Sequence, residues 1–211
     1  MEFKDKQLKE IYKELSSLYP QAKCGLDFGT PFQLLIATIL SSQCTDDKVN
    51  KITSKLFRVA PTPREMLKLG KDRLKEYIRS AGLYENKSKN IIYTSKIILE
   101  KYQGEVPATR KELENLPGVG RKTANVVLSN AFGVAALAVD THVYRVSKRL
   151  GLARGKSALE VERELMEKIP REFWGVFHHL LIYHGRITCK AKNPACSSCI
   201  IKSYCKYPVN N

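Results

Sequence analysis

The sequence predicts an all-α protein. Apolar residues recur at helical spacing in almost every segment, N-cap and stop residues bracket those segments, and neither an alternating strand pattern nor an internal repeat is present. The 211 residues are enough to bury a core without disulfide staples, in one domain or two small ones.

Leu8, Ile11, Tyr12, Leu15 and Leu18 form the stripe of a first amphipathic helix ending near Pro20. Thr30-Pro31-Phe32-Gln33 supplies an N-cap, an N1 proline and a capping glutamine for a strongly apolar helix through Leu40, expected at the centre of the core. Val49, Ile52, Leu56 and Phe57 line a third helix, Thr62 and Glu65 cap a short fourth, and Leu74, Tyr77, Ile78 and Ala81 line a fifth that stops at Gly82. Ile91, Ile92, Ser95, Ile98, Leu99 and Tyr102 define a sixth, closed by Gly104. A short helix capped by Thr109 and Glu112 leads into the turn Leu116-Pro117-Gly118-Val119-Gly120, and another helix runs from about Arg121 to Phe132 with Gly133 as its stop. Val134 to Val139 is apolar and short, but its alanines argue for a buried connector over a strand. Thr141 to Leu150, Ala158 to Lys168 (capped by Ser157 and Glu160) and Glu172 to about Arg186 complete the set.

Charge narrows the partner. Thirty-six basic against 21 acidic residues give +15, more than solubility requires, which points to nucleic acid. No run of 18 apolar residues exists, and Met1-Glu-Phe-Lys-Asp-Lys has no apolar signal region, so an intracellular, cytoplasmic protein is expected. The basic residues are spread along the chain, so folding must assemble the binding surface. In that compartment six cysteines indicate metal or catalysis before disulfides.

The turn from Leu116 to Ala124 is the most informative motif. Its two glycines bring backbone N–H groups up to a ligand, and the helix starting at Arg121 points its free N–H groups and positive dipole end the same way, which makes an anion site. Lys122 lies in the first turn of that helix, where an ammonium is disfavoured and the neutral, nucleophilic amine is favoured. Asp140, before the helix at Thr141, fits an N-cap; a capping carboxylate stays ionised and can also serve as the second half of an acid–base pair. Gln43, in the polar turn Leu40 to Asp46, reads either as an amide that meets base edges or as a solvated loop residue. Leu83 follows a helix-stopping glycine and reads either as a wedge for a base stack or as a contact closing the helix. His142, His178, His179 and His184 show no metal spacing.

Cys189, Cys196, Cys199 and Cys205 have the spacing C-x6-C-x2-C-x5-C. A segment with so little apolar surface needs a metal centre to order it. Zinc and a [4Fe-4S] cluster both accept four thiolates, and the single short Cys-x-x-Cys loop tilts the choice toward the cluster. Cys24 and Cys44 read as inert, partly buried thiols.

Taken in order, the Leu40 to Asp46 turn, Gly82-Leu83-Tyr84, the hairpin at Leu116 to Ala124, the Val139 to Val146 segment and the terminal cysteines resemble the endonuclease III family of the helix-hairpin-helix DNA glycosylase/AP lyase superfamily, over essentially the whole chain. The resemblance implies a six-helix barrel with the hairpin at residues 24–133, an iron-sulfur domain from residues 1–23 and 134–211, and a DNA cleft between them. It also implies a flipped damaged base. It assigns Lys122 as nucleophile with Asp140 as its partner, Gln43 and Leu83 as probes of the opened duplex, and Gly118 and Gly120 with Arg121 at the DNA backbone. It further assigns the four cysteines to a [4Fe-4S] cluster whose loop shows Lys190 and Lys192 to the backbone. The expected partner is damaged double-stranded DNA, the expected substrates are oxidised pyrimidines and abasic sites, and the expected state is a monomer. Within the class, an adenine glycosylase lacks the lyase lysine and has a further C-terminal domain, so Lys122 and the end at Asn211 count against it. A mismatch-directed thymine or uracil glycosylase and a non-catalytic hairpin DNA-binding module are the other readings.

Overall fold

The computed structural model describes residues 5–207. The N-terminal residues 1–4, part of the segment read as lacking a signal, lie outside the described residues. Among the described residues there are eleven α-helices and no strand. The chain divides into two compact units, Cys24–Val134 and a second made of Met1–Lys23 with Ala135–Asn211.

The first unit contains α2 (Pro31–Leu40), α3 (Asp46–Val59), α4 (Pro63–Leu69), α5 (Lys71–Ile78), α6 (Tyr84–Lys101), α7 (Arg110–Glu114) and α8 (Arg121–Ala131). Every residue of α2 from Leu34 to Leu40 is buried, and α2 packs against α3, α6 and α8, which makes it the unit's axis. Its apolar composition on all sides requires that position. The capping residues act as their types predict: Thr30, Thr62 and Thr109 each accept from the N–H three residues on. One detail differs, since the Gln33 side chain accepts from Gly29 N–H at 2.7 Å instead of closing a box on Thr30. Gly133, at φ +62°, ends α8 with Val134 N–H donating to Leu128 C=O at 3.0 Å.

The second unit contains α1 (Lys6–Leu18), α9 (Thr141–Leu150), α10 (Ala158–Lys168) and α11 (Trp174–Ile187), the last preceded by a 3₁₀ turn at Arg171–Phe173. Leu8, Ile11 and Leu15 of α1, Val143, Val146 and Leu150 of α9, Val161 and Leu165 of α10, and Phe177, Leu180 and Leu181 of α11 share one core. Leu18 is 44 % exposed, so the buried stripe of α1 stops one position earlier than its periodicity suggests. Residues 135–139 form an irregular connector, buried at Ala136, Leu137, Ala138 and Val139. No described helix is long and apolar enough to cross a membrane.

Candidate functional site

In the unit of residues 24–134 the hairpin is fixed from beneath by α6. Thr94 Oγ1 donates to Pro117 C=O at 2.9 Å, and Val119 N–H closes the turn on Leu116 C=O at 3.0 Å. Gly118 takes φ +80°, and a Cβ there would stand 2.9 Å from Asn90 Nδ2, so both conformation and space demand glycine. Gly120 is different: its φ of −94° suits any residue, and a Cβ would meet nothing within 4 Å. It faces open space at the N-cap of α8, where no side chain caps the first-turn N–H groups. These amides are the donors an incoming anion needs. Lys122, the second residue of α8, is exposed beside them, and Arg121 is half-buried.

Gln43 and Leu83 both lie in this unit, both at φ 56°, the left-handed region that non-glycine residues enter only when their surroundings impose it. Gln43 is exposed and Leu83 is 54 % exposed. Leu83 therefore does not close α5 through an apolar contact; it stands as the N-cap of α6 with its side chain in solvent. Cys44 is a partly buried free thiol.

In the other unit Asp140 caps α9. Its Oδ1 accepts from His142 N–H at 2.9 Å and Val143 N–H at 2.8 Å, and the residue is half-buried. Both bonds fall on one oxygen, which leaves Oδ2 free of hydrogen bonds among the described residues. Burial lowers the His142 pKa, with the nearby Asp140 carboxylate acting against that shift.

The four terminal cysteines are free, half-buried thiols that line one cavity of about 170 Å³ with Arg149, His184 and Thr188. A water's share of liquid volume is about 30 Å³, so this space suits a multi-atom group better than one ion. Among the described residues, no three His, Cys, Asp or Glu side chains converge as ligands of a single metal ion. Burial pushes the Cys199 and Cys205 thiols up, and the other cysteines raise them further, so holding these two as thiolates requires a positive group beside them. The residues fit an iron-sulfur cluster on those grounds.

Sequence reasoning missed the residues that hold this loop. Arg149 of α9 donates to Lys190 C=O at 2.7 Å, Ala191 C=O at 3.2 Å and Cys189 Sγ at 3.3 Å. Arg145, one turn earlier, donates to Cys189 C=O at 3.1 Å and Gly185 C=O at 2.8 Å. His184, 1 % exposed, lies with Nε2 3.7 Å from Cys199 Sγ and Nδ1 3.3 Å from Tyr19 Oη. Lys190 and Lys192 are exposed on the loop. Only the basic, amphipathic pattern of α9 hinted at the arginines, and nothing local marked His184.

Residues 36–171 match the HhH-GPD superfamily of base excision DNA repair proteins, and residues 189–205 match the iron-sulfur binding domain of endonuclease III. Endonuclease III of Bacillus subtilis (strain 168) is 52% identical over 202 residues, 95% of this chain and 92% of that protein. A non-covalent endonuclease III–DNA complex superimposes with a TM-score of 0.91 at 51% identity, covering 95% of this chain and 94% of the other. An endonuclease III trapped with DNA as a covalent intermediate gives 0.90 at 50% identity, covering 96% of each chain. The chain belongs to the endonuclease III family of HhH-GPD base excision DNA repair proteins and carries that family's iron-sulfur binding domain.

Proposed function

We infer that the protein is a bifunctional DNA glycosylase and abasic-site lyase that removes oxidised pyrimidines from duplex DNA and cleaves the strand 3′ to the abasic site. The observation that carries this reading is Lys122, an exposed amine one residue into a helix whose N-terminal amides are uncapped and whose preceding Gly120 faces open space. An anion site alone needs no amine there; a nucleophile beside a bound phosphate does.

The amides at Gly118 and Gly120, with Arg121, hold a backbone phosphate without reading sequence. The Lys122 amine attacks C1′, forming a C–N bond as the glycosidic bond breaks and the base departs. The sugar-bound amine passes a proton to O4′ as the C1′–O4′ bond breaks, which opens the ring and leaves a protonated Schiff base, whose positive charge acidifies the C2′ hydrogen. Loss of that proton drives elimination of the 3′ phosphate. Asp140 keeps Oδ1 on the α9 amides and has Oδ2 to stabilise positive charge at C1′ and to assist proton transfer. Gln43 fills the gap left by the flipped nucleotide, and Leu83 wedges the opposite strand.

Cys189, Cys196, Cys199 and Cys205 would hold the cluster, with Arg149 and Arg145 fixing the loop around them. When bound, the cluster cross-links a segment that has little core of its own. Lys190 and Lys192 on that loop contact the DNA backbone. One lesion at a time requires no symmetry, so the active species is a monomer, and DNA as substrate places it inside the cell.

Borohydride trapping on duplexes bearing an abasic site or thymine glycol tests the reading. A covalent adduct is expected with the wild type, absent in Lys122→Ala and at most faint in Lys122→Arg. Active, cluster-loaded protein that traps no adduct would sink the lyase mechanism and leave a DNA-binding module.

A further inference from the structure

Lys87 is 4 % exposed, yet it lies on a helix of a strongly basic DNA-repair protein, where a lysine would ordinarily face the phosphates. Its ammonium has three donors. All three are used on backbone carbonyls: Ser42 at 2.7 Å, Leu40 at 2.9 Å and Ala81 at 3.1 Å. Among the described residues no carboxylate is a partner of Lys87, so the group is held by loop carbonyls and not by an ion pair. Leu40 ends α2, where carbonyls left without an intrahelical donor and the negative end of the helix dipole favour a cation.

The position of those carbonyls gives the lysine its meaning. Ser42 directly precedes Gln43, and Ala81 stands two residues before Leu83. Both of those residues hold left-handed backbone at φ 56° while their side chains stand in solvent, so their own packing does not impose the conformation. The same face of α6 also carries Asn90, against Gly118, and Thr94, bonded to Pro117. One helix thus registers both probing loops and the phosphate hairpin.

We propose that Lys87 is a positioning residue that ties the Gln43 loop to the Leu83 loop and presents the two side chains as a pre-set pair to duplex opened at a lesion. This rests on the assignment of Gln43 and Leu83 as DNA probes. Lys87 contacts neither substrate nor reacting atoms. Its effect falls on lesion engagement and not on the chemical step.

The test uses cluster-loaded full-length Lys87→Met and a duplex with a tetrahydrofuran abasic analogue opposite 2-aminopurine. Expected are a loss of lesion affinity of roughly ten- to a hundredfold, the size that disabling a binding anchor produces, a loss of the 2-aminopurine response, and a raised KM with kcat unchanged on a true abasic site. In a Gln43→Ala Leu83→Ala background, Lys87→Met should cost nothing further. Lys87→Gln, which keeps two donors, should lie between wild type and Met and serves if the Met variant does not fold. Wild-type affinity in folded Lys87→Met, or a full additional loss in the double-variant background, overturns the proposal. Failure of both Lys87 variants to fold also overturns it, because the lysine would then hold the domain and not the loops. Wild-type lesion binding by Gln43→Ala Leu83→Ala alone would remove the probe assignment itself, a result distinct from a null at Lys87.

Discussion

Asp140 caps α9 and, in the proposed mechanism, also serves the chemistry, and a pair of substitutions separates the two roles. Its Oδ1 accepts from His142 N–H at 2.9 Å and Val143 N–H at 2.8 Å, an N-cap that an asparagine carbonyl oxygen can reproduce without the charge. Asp140→Ala removes both bonds and should cost about 1 kcal/mol, within the 0.5–2 range for such caps. At this chain length that lowers Tm by roughly 2–4 °C. Asp140→Asn should leave Tm close to wild type. Both variants lose the carboxylate from the chemistry, so the single-turnover rate of adduct formation at saturating abasic DNA should fall about 10²–10⁴-fold in each. Stability cannot produce that loss: against a total of at least about 5 kcal/mol, a change near 1 kcal/mol unfolds well under one per cent of the molecules. Thermal denaturation and borohydride trapping on the same preparations check the two arms. Wild-type trapping by folded Asp140→Asn would refute the chemical role and leave Asp140 as a cap alone.

The two hairpin glycines should respond differently. Gly118→Ala forces a side chain to φ +80° against Asn90 and should cost roughly 1–3 kcal/mol of stability, read as a lower Tm, whereas Gly120→Ala should keep Tm and weaken DNA binding at fixed salt, because its Cβ projects into the open approach to the amides. Equal behaviour of the two would contradict the anion-site geometry. Arg149→Ala removes guanidinium bonds to Lys190, Ala191 and Cys189, each worth roughly 1.5–3 kcal/mol where desolvated and less where solvent reaches them. It should lower iron per protein and speed bleaching of the visible absorbance by chelator, and unchanged iron retention would count against the clamp. His178 is fully buried, with its pKa pushed down to about 4 by burial. It stays neutral in the fold while the unfolded chain takes a proton near 6.5, so stability is flat above that pH and falls between about 6.5 and 4. The loss is about 1.4 kcal/mol per pH unit, and His178→Phe should reduce the acid slope of urea unfolding by that amount; an unchanged slope would show that His178 is not the group.

The helices were legible because their signals are local. Thr30, Thr62, Thr109, Asp140 and Ser157 each meet an amide two or three residues away, so residue type and spacing carried the information. Gln33 chose Gly29 over Thr30, a difference of one position that no propensity distinguishes. The cysteines were legible for the same reason, since all four lie in one compact motif that matches the iron-sulfur binding domain, and Lys122 and Asp140 stand at the helix starts that their motifs predict. Lys87, Arg149 and His184 were not, because their partners lie at sequence separations of up to 165 residues, and those of Lys87 and Arg149 are mostly backbone carbonyls that any residue could supply. One trace was visible for Lys87: it precedes Ile91 by one helical turn on the stripe that continues through Ser95 and Ile98, a basic residue on a buried face.

That contrast explains why only one unit depends on a metal. Residues 24–134 bury α2 on all sides, and an ammonium with three carbonyl partners suffices to fix the loops that leave it. Residues 189–205 bury a single apolar side chain, Ile201. Full burial of one such residue contributes roughly 1.5–3 kcal/mol, while ordering each backbone residue costs about 1–2 kcal/mol, so two residues of the segment exhaust it. Arg145 and Arg149 narrow the gap, with guanidinium bonds to the carbonyls around Cys189 and with Arg149 C=O accepting from the Cys205 thiol and Lys206 N–H, but they hold the ends of the segment and leave Cys196 and Cys199 between them to be drawn in. Thiolate bonds to a shared inorganic centre are the remaining source of order. Removing iron should therefore melt this segment while the hairpin with Lys122 remains folded, and hydrogen exchange on the apo protein should divide the chain along that line.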